Sequence, residues 1–498
     1  MTRMVASQMS DNSMRMRFLL VSVALLLAAA CQRATDTALE HLHPCQIAEG
    51  PPDAFCGTHR VFENRQTKTG RTIDLKIVVA PALRRNADAD PLFVFEGGPG
   101  GGAATLAAER IPMLHRFQTD RDIVLIDQRG TGESNPLDCE PDNPDDDDLS
   151  SVDDYPVERF RRCLETLKAD PSLYTTSVAM DDIDDVREAL GYEAINLWGG
   201  SYGTRAALVY LKQHESKVRT VVLDGVAPPD MRIPLYMARD GQRALDRLLD
   251  DCEKDTQGCA HTFPKLRASV ATLWTSLEQR PRVSFTHPRT GKPASVVASK
   301  RLIASIVFQA LYSPEITALL PQLLTDASTG NFQGIFALGF ANDLPKGAMS
   351  EGMFLSVVCA EDMPRISEAD IERESATGFI GRGMFDTRMK PCDFWPKGKV
   401  GADYYAPVTS ARPALIFSGE NDPVTPPAWG EQVAASLSNS RHVIVPGSGH
   451  IALSRGCVVD LVQKFLDTAD ARALDVTCVD KLRRPPFFTS YTGPAVRP

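Results

Sequence analysis

An excess of basic charge, a membrane-length apolar run and metal-ligand spacing are all missing from these 498 residues, and each absence removes a class of function. Lys plus Arg number 54 against 64 for Asp plus Glu, a net of -10, which sets nucleic acid aside as the main partner. The apolar run from Phe18 to Ala30 is too short to cross a bilayer comfortably. The cysteines show no C-x-x-C spacing and no histidine cluster beside them, so no metal is expected. The stretch Gly97-Gly98-Pro99-Gly100 contains neither G-x-x-x-x-G-K-[ST] nor a G-x-G-x-x-G before a helix. It is not a phosphate cradle, and no cofactor is expected. Asp145 to Asp148 lies in a Pro-containing stretch without the spacing of a known calcium loop and reads as solvated. Internal repeats are absent. With 43% hydrophobic and 24% charged residues, the chain has the composition of a globular protein.

What is present begins with an address. Arg15 and Arg17 precede the short apolar run, which ends in small residues at Cys31. That pattern is a signal peptide, and Leu-Ala-Ala-Ala-Cys resembles a bacterial lipobox with Cys31 as the lipidated residue. Ala28 stands where such a box usually has Leu. An N-terminal lipid anchor to a membrane of the cell envelope follows as an expectation. An ordinary signal peptide cut near Ala30 would release the chain instead. Ten further cysteines remain, falling into sequence-local couples: Cys45 with Cys56, Cys139 with Cys163, Cys252 with Cys259, Cys359 with Cys392, and Cys457 with Cys478. Even parity behind an export signal favours disulfides in an oxidising compartment, although connectivity is not readable from sequence.

The segment after Cys31 is polar and reads as loop. Ile73, Leu75, Ile77 and Val79 alternate as in a half-buried strand. Short apolar runs follow at Pro91–Phe95 and Asp122–Ile126, then a helix through Ile183, Val186 and Leu190 stopped by Gly191. Ala194–Trp198 is a strand, a Gly-rich turn and a helix through Tyr210 come next, and Arg219–Leu223 is another strand. Strand, helix, strand in alternation predicts an α/β fold with a mostly parallel sheet. From 228 to 402 helical stretches dominate, at Met237–Cys252, Lys300–Tyr312 and Ile316–Ala327. This reads as an inserted, mainly helical lid between core segments 32–227 and 403–498, behind the leader 1–31. Strand signals return at Ala414–Phe417 and His442–Val445, and Val458–Leu466 reads as a final core helix.

Gly199-Gly200-Ser201-Tyr202-Gly203 fits G-x-S-x-G and lies between a predicted strand and a predicted helix, the setting of a nucleophile elbow. Glycines are required because the turn is sharp. A serine needs a base. Among nine histidines, His450 follows the last predicted strand in Gly447-Ser448-Gly449-His450 and satisfies the order Ser, acid, His. The orienting acid is Asp422, just after the Ala414–Phe417 strand, with Glu420 and Asp224 as rivals. For the oxyanion, the N–H groups of Gly98 and Tyr202 are the expected donors.

Glu96-Gly97-Gly98-Pro99-Gly100-Gly101, Asp127-Gln128-Arg129-Gly130-Thr131-Gly132-Glu133-Ser134 and the Ser201 motif together resemble the proline iminopeptidase and tripeptidyl aminopeptidase family of α/β-hydrolases. The likeness is nearest to the secreted tripeptidyl-aminopeptidase-like branch, whose C-terminal part has the pattern of Cys392-Asp393-Phe394-Trp395-Pro396. The resemblance implies an exopeptidase that acts from a free N-terminus through an acyl-enzyme on Ser201. It implies carboxylates for the substrate ammonium, with Glu361 and Asp362 as candidates. Glu96 stands where the family often has His, and is a third. Asp127 and Arg129 resemble the family's structural pair beneath the site. The expected partner is a peptide. A small ester is the alternative, because the same triad serves both. A non-catalytic peptide-binding lipoprotein would have no need of both the serine and the histidine.

Overall fold

The computed structural model describes residues 42–47, 53–84, 90–139, 155–341 and 348–494. The leader with Cys31 and the run Asp145 to Asp148 lie outside the described residues. A single sheet organises the chain, with strands β1 (His43–Cys45), β2 (Ala54–Phe62), β3 (Thr72–Ala80), β4 (Leu92–Phe95), β5 (Ile123–Ile126), β6 (Ile195–Gly200) and β7 (Val218–Asp224). After these come a separate hairpin, β8 (Arg282–Thr286) with β9 (Pro293–Val297), and then β10 (Ala414–Gly419) and β11 (Ser440–Val445). The sheet order is β1-β2-β3-β5-β4-β6-β7-β10-β11. Pairing is antiparallel from β1 to β5 and parallel from β5 onward.

Both faces of the sheet are covered, which is why its central strands are continuous apolar runs rather than alternating ones. Phe93 and Phe95 of β4, Val221 and Leu223 of β7 and Ile416 of β10 pack on one face against the helices Thr176–Ala189 and Tyr202–Gln213. Their neighbours Leu92, Val94, Val222, Leu415 and Phe417 point to the other face, against the helices Ala107–Leu114 and Val458–Thr468. This period of two is the pleat itself. Between β7 and β10 runs a mainly helical segment with a core of its own, built from residues such as Leu245, Leu273, Val307 and Phe336. Val424, from the loop after β10, joins that core and ties it to the sheet.

Three local readings change. The loop expected after Cys31 contains β1 and the nine-residue β2. Gly57, Thr58, His59 and Arg60 dilute the apolar signal there, because β2 lies near the sheet edge and is only partly buried. The β8–β9 hairpin interrupts the segment expected to be helical, and its residues are largely exposed. The helix expected over Ile316–Ala327 is two, Pro314–Thr317 and Leu320–Ser328, the second with Pro321 in its first turn where no N–H is needed. The ten cysteines form the five sequence-local pairs. No described helix is long and apolar enough to cross a membrane. No described group of three or more His, Cys, Asp or Glu residues is placed to hold a metal.

Candidate active site

Strand order decides where a ligand can sit. β5 follows β4 in sequence but lies on one side of it, and β6 lies on the other. The chain changes direction across the β4/β6 pair, leaving a crevice beyond their carboxyl ends, where open α/β sheets bind ligands. Register brings the strand ends level: Phe95 pairs with Gly199, Gly200 with Asp224, Asp224 with Phe417, and Gly419 with Val445. The loops carrying Gly98, Ser201, Asp422 and His450 all leave from this edge.

Ser201 has φ 56° and ψ −127°, a conformation that costs on the order of 1–3 kcal/mol and persists only when its surroundings impose it. Its N–H donates to the Asp224 carbonyl at 3.0 Å, and its own carbonyl accepts from Thr204 N–H at 2.9 Å and Thr204 Oγ1 at 2.6 Å. The flanking glycines are sterically required. A Cβ on Gly199 would lie 2.3 Å from the Gly203 carbonyl oxygen, and one on Gly203 would lie 2.0 Å from that of Phe95. Tyr202 opens the helix, where a backbone N–H has no intrahelical acceptor and the helix dipole favours negative charge. The Gly97 turn closes on the serine: a Cβ there would be 3.8 Å from Ser201 Oγ. Next to it Gly98 has φ 118° and is exposed.

His450 Nδ1 lies 2.8 Å from Asp422 Oδ2. Asp422 is fully buried, and its Oδ1 accepts the N–H groups of Val424 and Thr425, both at 2.8 Å. Thr425 Oγ1 donates to Asp422 Oδ2 at 2.8 Å. Burial opposes charge on Asp422, but His450 and the two backbone donors outweigh it and hold the carboxyl below its ordinary range. Burial likewise opposes charge on His450, yet the Asp422 carboxylate raises the imidazole above its ordinary value. The His450 N–H donates to the Tyr312 carbonyl at 2.8 Å, and the two rings meet edge-on with centroids 5.0 Å apart.

The rivals for the acid have other partners. Glu420 accepts from Gly447 N–H at 3.0 Å and pairs with Arg247 at 2.5 Å. The Asp224 carboxylate accepts the N–H groups of Ala452 and Leu453.

The three carboxylates expected to receive a substrate ammonium are occupied. Arg110 binds Glu96 through Nε at 2.6 Å and Nη2 at 2.9 Å, and Glu96 also accepts Gly97 N–H at 3.1 Å. Glu361 and Asp362 have no solvent exposure. Glu361 accepts Thr176 N–H at 2.7 Å, Thr176 Oγ1 at 2.9 Å and the Tyr404 hydroxyl. Asp362 accepts from Arg205 Nη1 at 3.0 Å, which also lies 3.6 Å from Glu361. Neither presents an open oxygen to an incoming cation. The resemblance marked them as ligands, and the fold makes them part of the floor beneath Tyr202, whose hydroxyl meets Thr176 Oγ1 at 2.7 Å. Asp127 and Arg129 are architecture as well. Arg129 grips Asp182 at 2.6 and 2.9 Å, and Asp127 accepts from Thr105 and Glu133.

Arg205→Met should therefore cost about 3–5 kcal/mol of unfolding free energy, because buried Glu361 loses its cation and buried Asp362 is left with Arg365 alone, at 3.4 Å. Urea denaturation measures this, and a loss below about 1 kcal/mol would contradict the assignment.

Sequence reasoning overlooked Thr425, Arg205 and Tyr312. Asp422-Pro423-Val424-Thr425 is an Asx-type turn, which a closer reading of turn chemistry would have found. An arginine followed by Ala206, Ala207, Leu208 and Val209 signals a buried cation in need of partners. Tyr312 had no signal, since its role depends on how the segment between β7 and β10 docks.

A family model described as alpha/beta hydrolase fold matches residues 90–456. The serine protease Hip1 of Mycobacterium tuberculosis is 24% identical over 457 residues, covering 84% of this chain and 85% of that protein. The tripeptidyl aminopeptidase of Streptomyces coelicolor is 25% identical over 420 residues, 77% of this chain and 75% of that one. A proline iminopeptidase of Neisseria gonorrhoeae is 31% identical over 142 residues, 28% of this chain and 34% of that protein.

Proposed function

The chain belongs to the α/β-hydrolase fold family, and from that premise we propose that it is an exported serine aminopeptidase, cutting peptides near a free N-terminus. The observation that carries this reading is the 2.8 Å pairing of His450 Nδ1 with buried Asp422, on loops that leave the same sheet edge as an elbow serine in a strained conformation. Relatives named serine protease, tripeptidyl aminopeptidase and proline iminopeptidase support a peptidase.

In this reaction Ser201 Oγ bonds to the scissile carbonyl carbon while its proton passes to His450 Nε2. Asp422 fixes the tautomer that leaves Nε2 free and stabilises the imidazolium. The carbonyl oxygen becomes an oxyanion held by the N–H groups of Gly98 and Tyr202. Collapse breaks the C–N bond, His450 protonates the leaving amine, and Ser201 retains the acyl group as an ester. Water then gives a proton to His450 and attacks the ester carbon, and the proton returns to Ser201 as the C–O bond breaks. The helical segment between β7 and β10 acts as a lid that limits access to short or unfolded peptides. Cys31 anchors the chain by lipid in the cell envelope, and five disulfides suit an oxidising compartment.

One observation favours a second reading, a carboxylesterase. Glu96, Glu361 and Asp362, the expected ammonium partners, are already bound to arginines. Aminoacyl-nitroanilides, their N-blocked counterparts and nitrophenyl esters separate the two. The aminopeptidase is expected to cleave free substrates at least about tenfold faster than blocked ones, a difference of about 1.4 kcal/mol. Equal rates on blocked peptides, or turnover of esters alone, would count for the esterase. Mass spectrometry of a peptide ladder reads whether one or three residues leave.

A further inference from the structure

Asp224 ends β7, is 1% exposed, and stands outside the Asp422–His450 pair. Its main-chain carbonyl accepts the Ser201 N–H at 3.0 Å. Its carboxylate accepts the Ala452 N–H at 2.8 and 3.0 Å to the two oxygens, and the Leu453 N–H at 2.9 Å. One residue thus grips the nucleophile turn with its backbone and the chain just past His450 with its side chain.

Between His450 and Ala452 lies Ile451, with φ 68°. A β-branched residue in the left-handed region is a true outlier and needs surrounding structure to hold it there. The two residues that follow it are those bound by Asp224. Ile451 also lies over the elbow: a Cβ added to Gly200 would be 3.3 Å from Ile451 Cδ1.

We propose that Asp224 is a positioning residue which, through Ala452 and Leu453, holds the strained Ile451 turn and so fixes the bearing of His450 toward Ser201. This rests on the serine-hydrolase reading above. Two neighbouring groups titrate beside Asp224, His450 from the loop after β11 and Asp422 from the loop after β10. Burial pushes the Asp224 carboxyl up to about 6, against the pull of its two backbone donors and of His450. When charged, Asp224 in turn raises the His450 imidazole. A neutral residue in its place therefore lets His450 lose its proton at lower pH.

The experiment compares wild type, D224N and D224N/I451G by kcat, KM, pH profile and melting temperature, with fluorophosphonate labelling of wild-type Ser201 as control. D224N is expected to lose about 100-fold in kcat with KM changed less than about threefold, the scale of a 1 Å misplacement. The acid limb of its kcat/KM profile should move to lower pH, whereas loss of a merely structural contact would leave the limb in place. Glycine at 451 accepts a left-handed φ without strain, so the double variant should recover about tenfold of the lost kcat. A folded D224N with kcat within about threefold of wild type, or an unmoved acid limb, would overturn the proposal. So would failure of both variants to fold, since Asp224 would then serve folding alone. Wild-type protein that resists the probe would instead remove the serine-hydrolase reading beneath it.

Discussion

Replacing Ser201 by alanine is expected to reduce kcat by on the order of 10⁴-fold or more and to abolish fluorophosphonate labelling, with the melting temperature within a few degrees of wild type. The magnitude follows from the role. With Oγ gone there is no acyl-enzyme, and what remains is the contribution of the oxyanion donors and substrate binding. Stability should barely change, because the elbow is imposed by its neighbours. The Asp224 carbonyl, Thr204 and the close approach of Gly199 and Gly203 hold position 201 at φ 56° whatever its side chain. Steady-state kinetics on a cleaved nitroanilide, with calorimetry in parallel, tests both halves. A variant that keeps a tenth of the wild-type rate would remove Ser201 from the mechanism.

Asp422→Asn has the next largest expected effect, about 10⁴-fold in kcat. An asparagine can turn its amide N–H toward Nδ1 and trap the tautomer that carries its proton on Nε2, which cannot accept one from serine. The pH dependence of stability gives an independent readout, and its sign follows from the two shifts. Asp422 lies below its ordinary value, so its contribution is present above about pH 4 and fades as pH falls through its folded pKa. His450 lies above its ordinary value, so its contribution is complete below about pH 6.5 and fades as pH rises through its folded pKa. The pair stabilises most between those limits. The melting-temperature gap between wild type and D422N should be widest there and narrow on either side. A gap that stays constant from pH 4 to 9 would show that the pair is not coupled in this way.

Much of the α/β core was legible because its signals are local. β3 showed the alternation of a half-buried strand, and β4 to β7 are short, mostly apolar stretches, as buried parallel strands must be when helices cover both faces. The Ser201 turn was readable for a related reason, since atomic clearances of 2.0 and 2.3 Å at Gly203 and Gly199 leave no alternative residue. β2 was not readable, because a strand near the sheet edge carries Thr58, His59 and Arg60 without penalty. The β8–β9 hairpin was hidden likewise by its exposure.

The sequence by itself determined the succession of strands β3 to β7 and then β10 and β11, the sharp serine turn, the loops from which Asp422 and His450 project, and which cysteines were near enough along the chain to pair. Each depends on residues within a few positions of one another. Only the tertiary structure decided which charges are free. Glu361 and Arg205 are separated by most of the segment between β7 and β10, Glu96 meets Arg110 across the Gly-rich turn after β4, and Asp224 reaches residues that follow β11. A carboxylate looks the same in a sequence whether it awaits a ligand or is already neutralised. Burial makes an unpaired charge so costly that the fold must supply a partner from wherever packing brings one within reach.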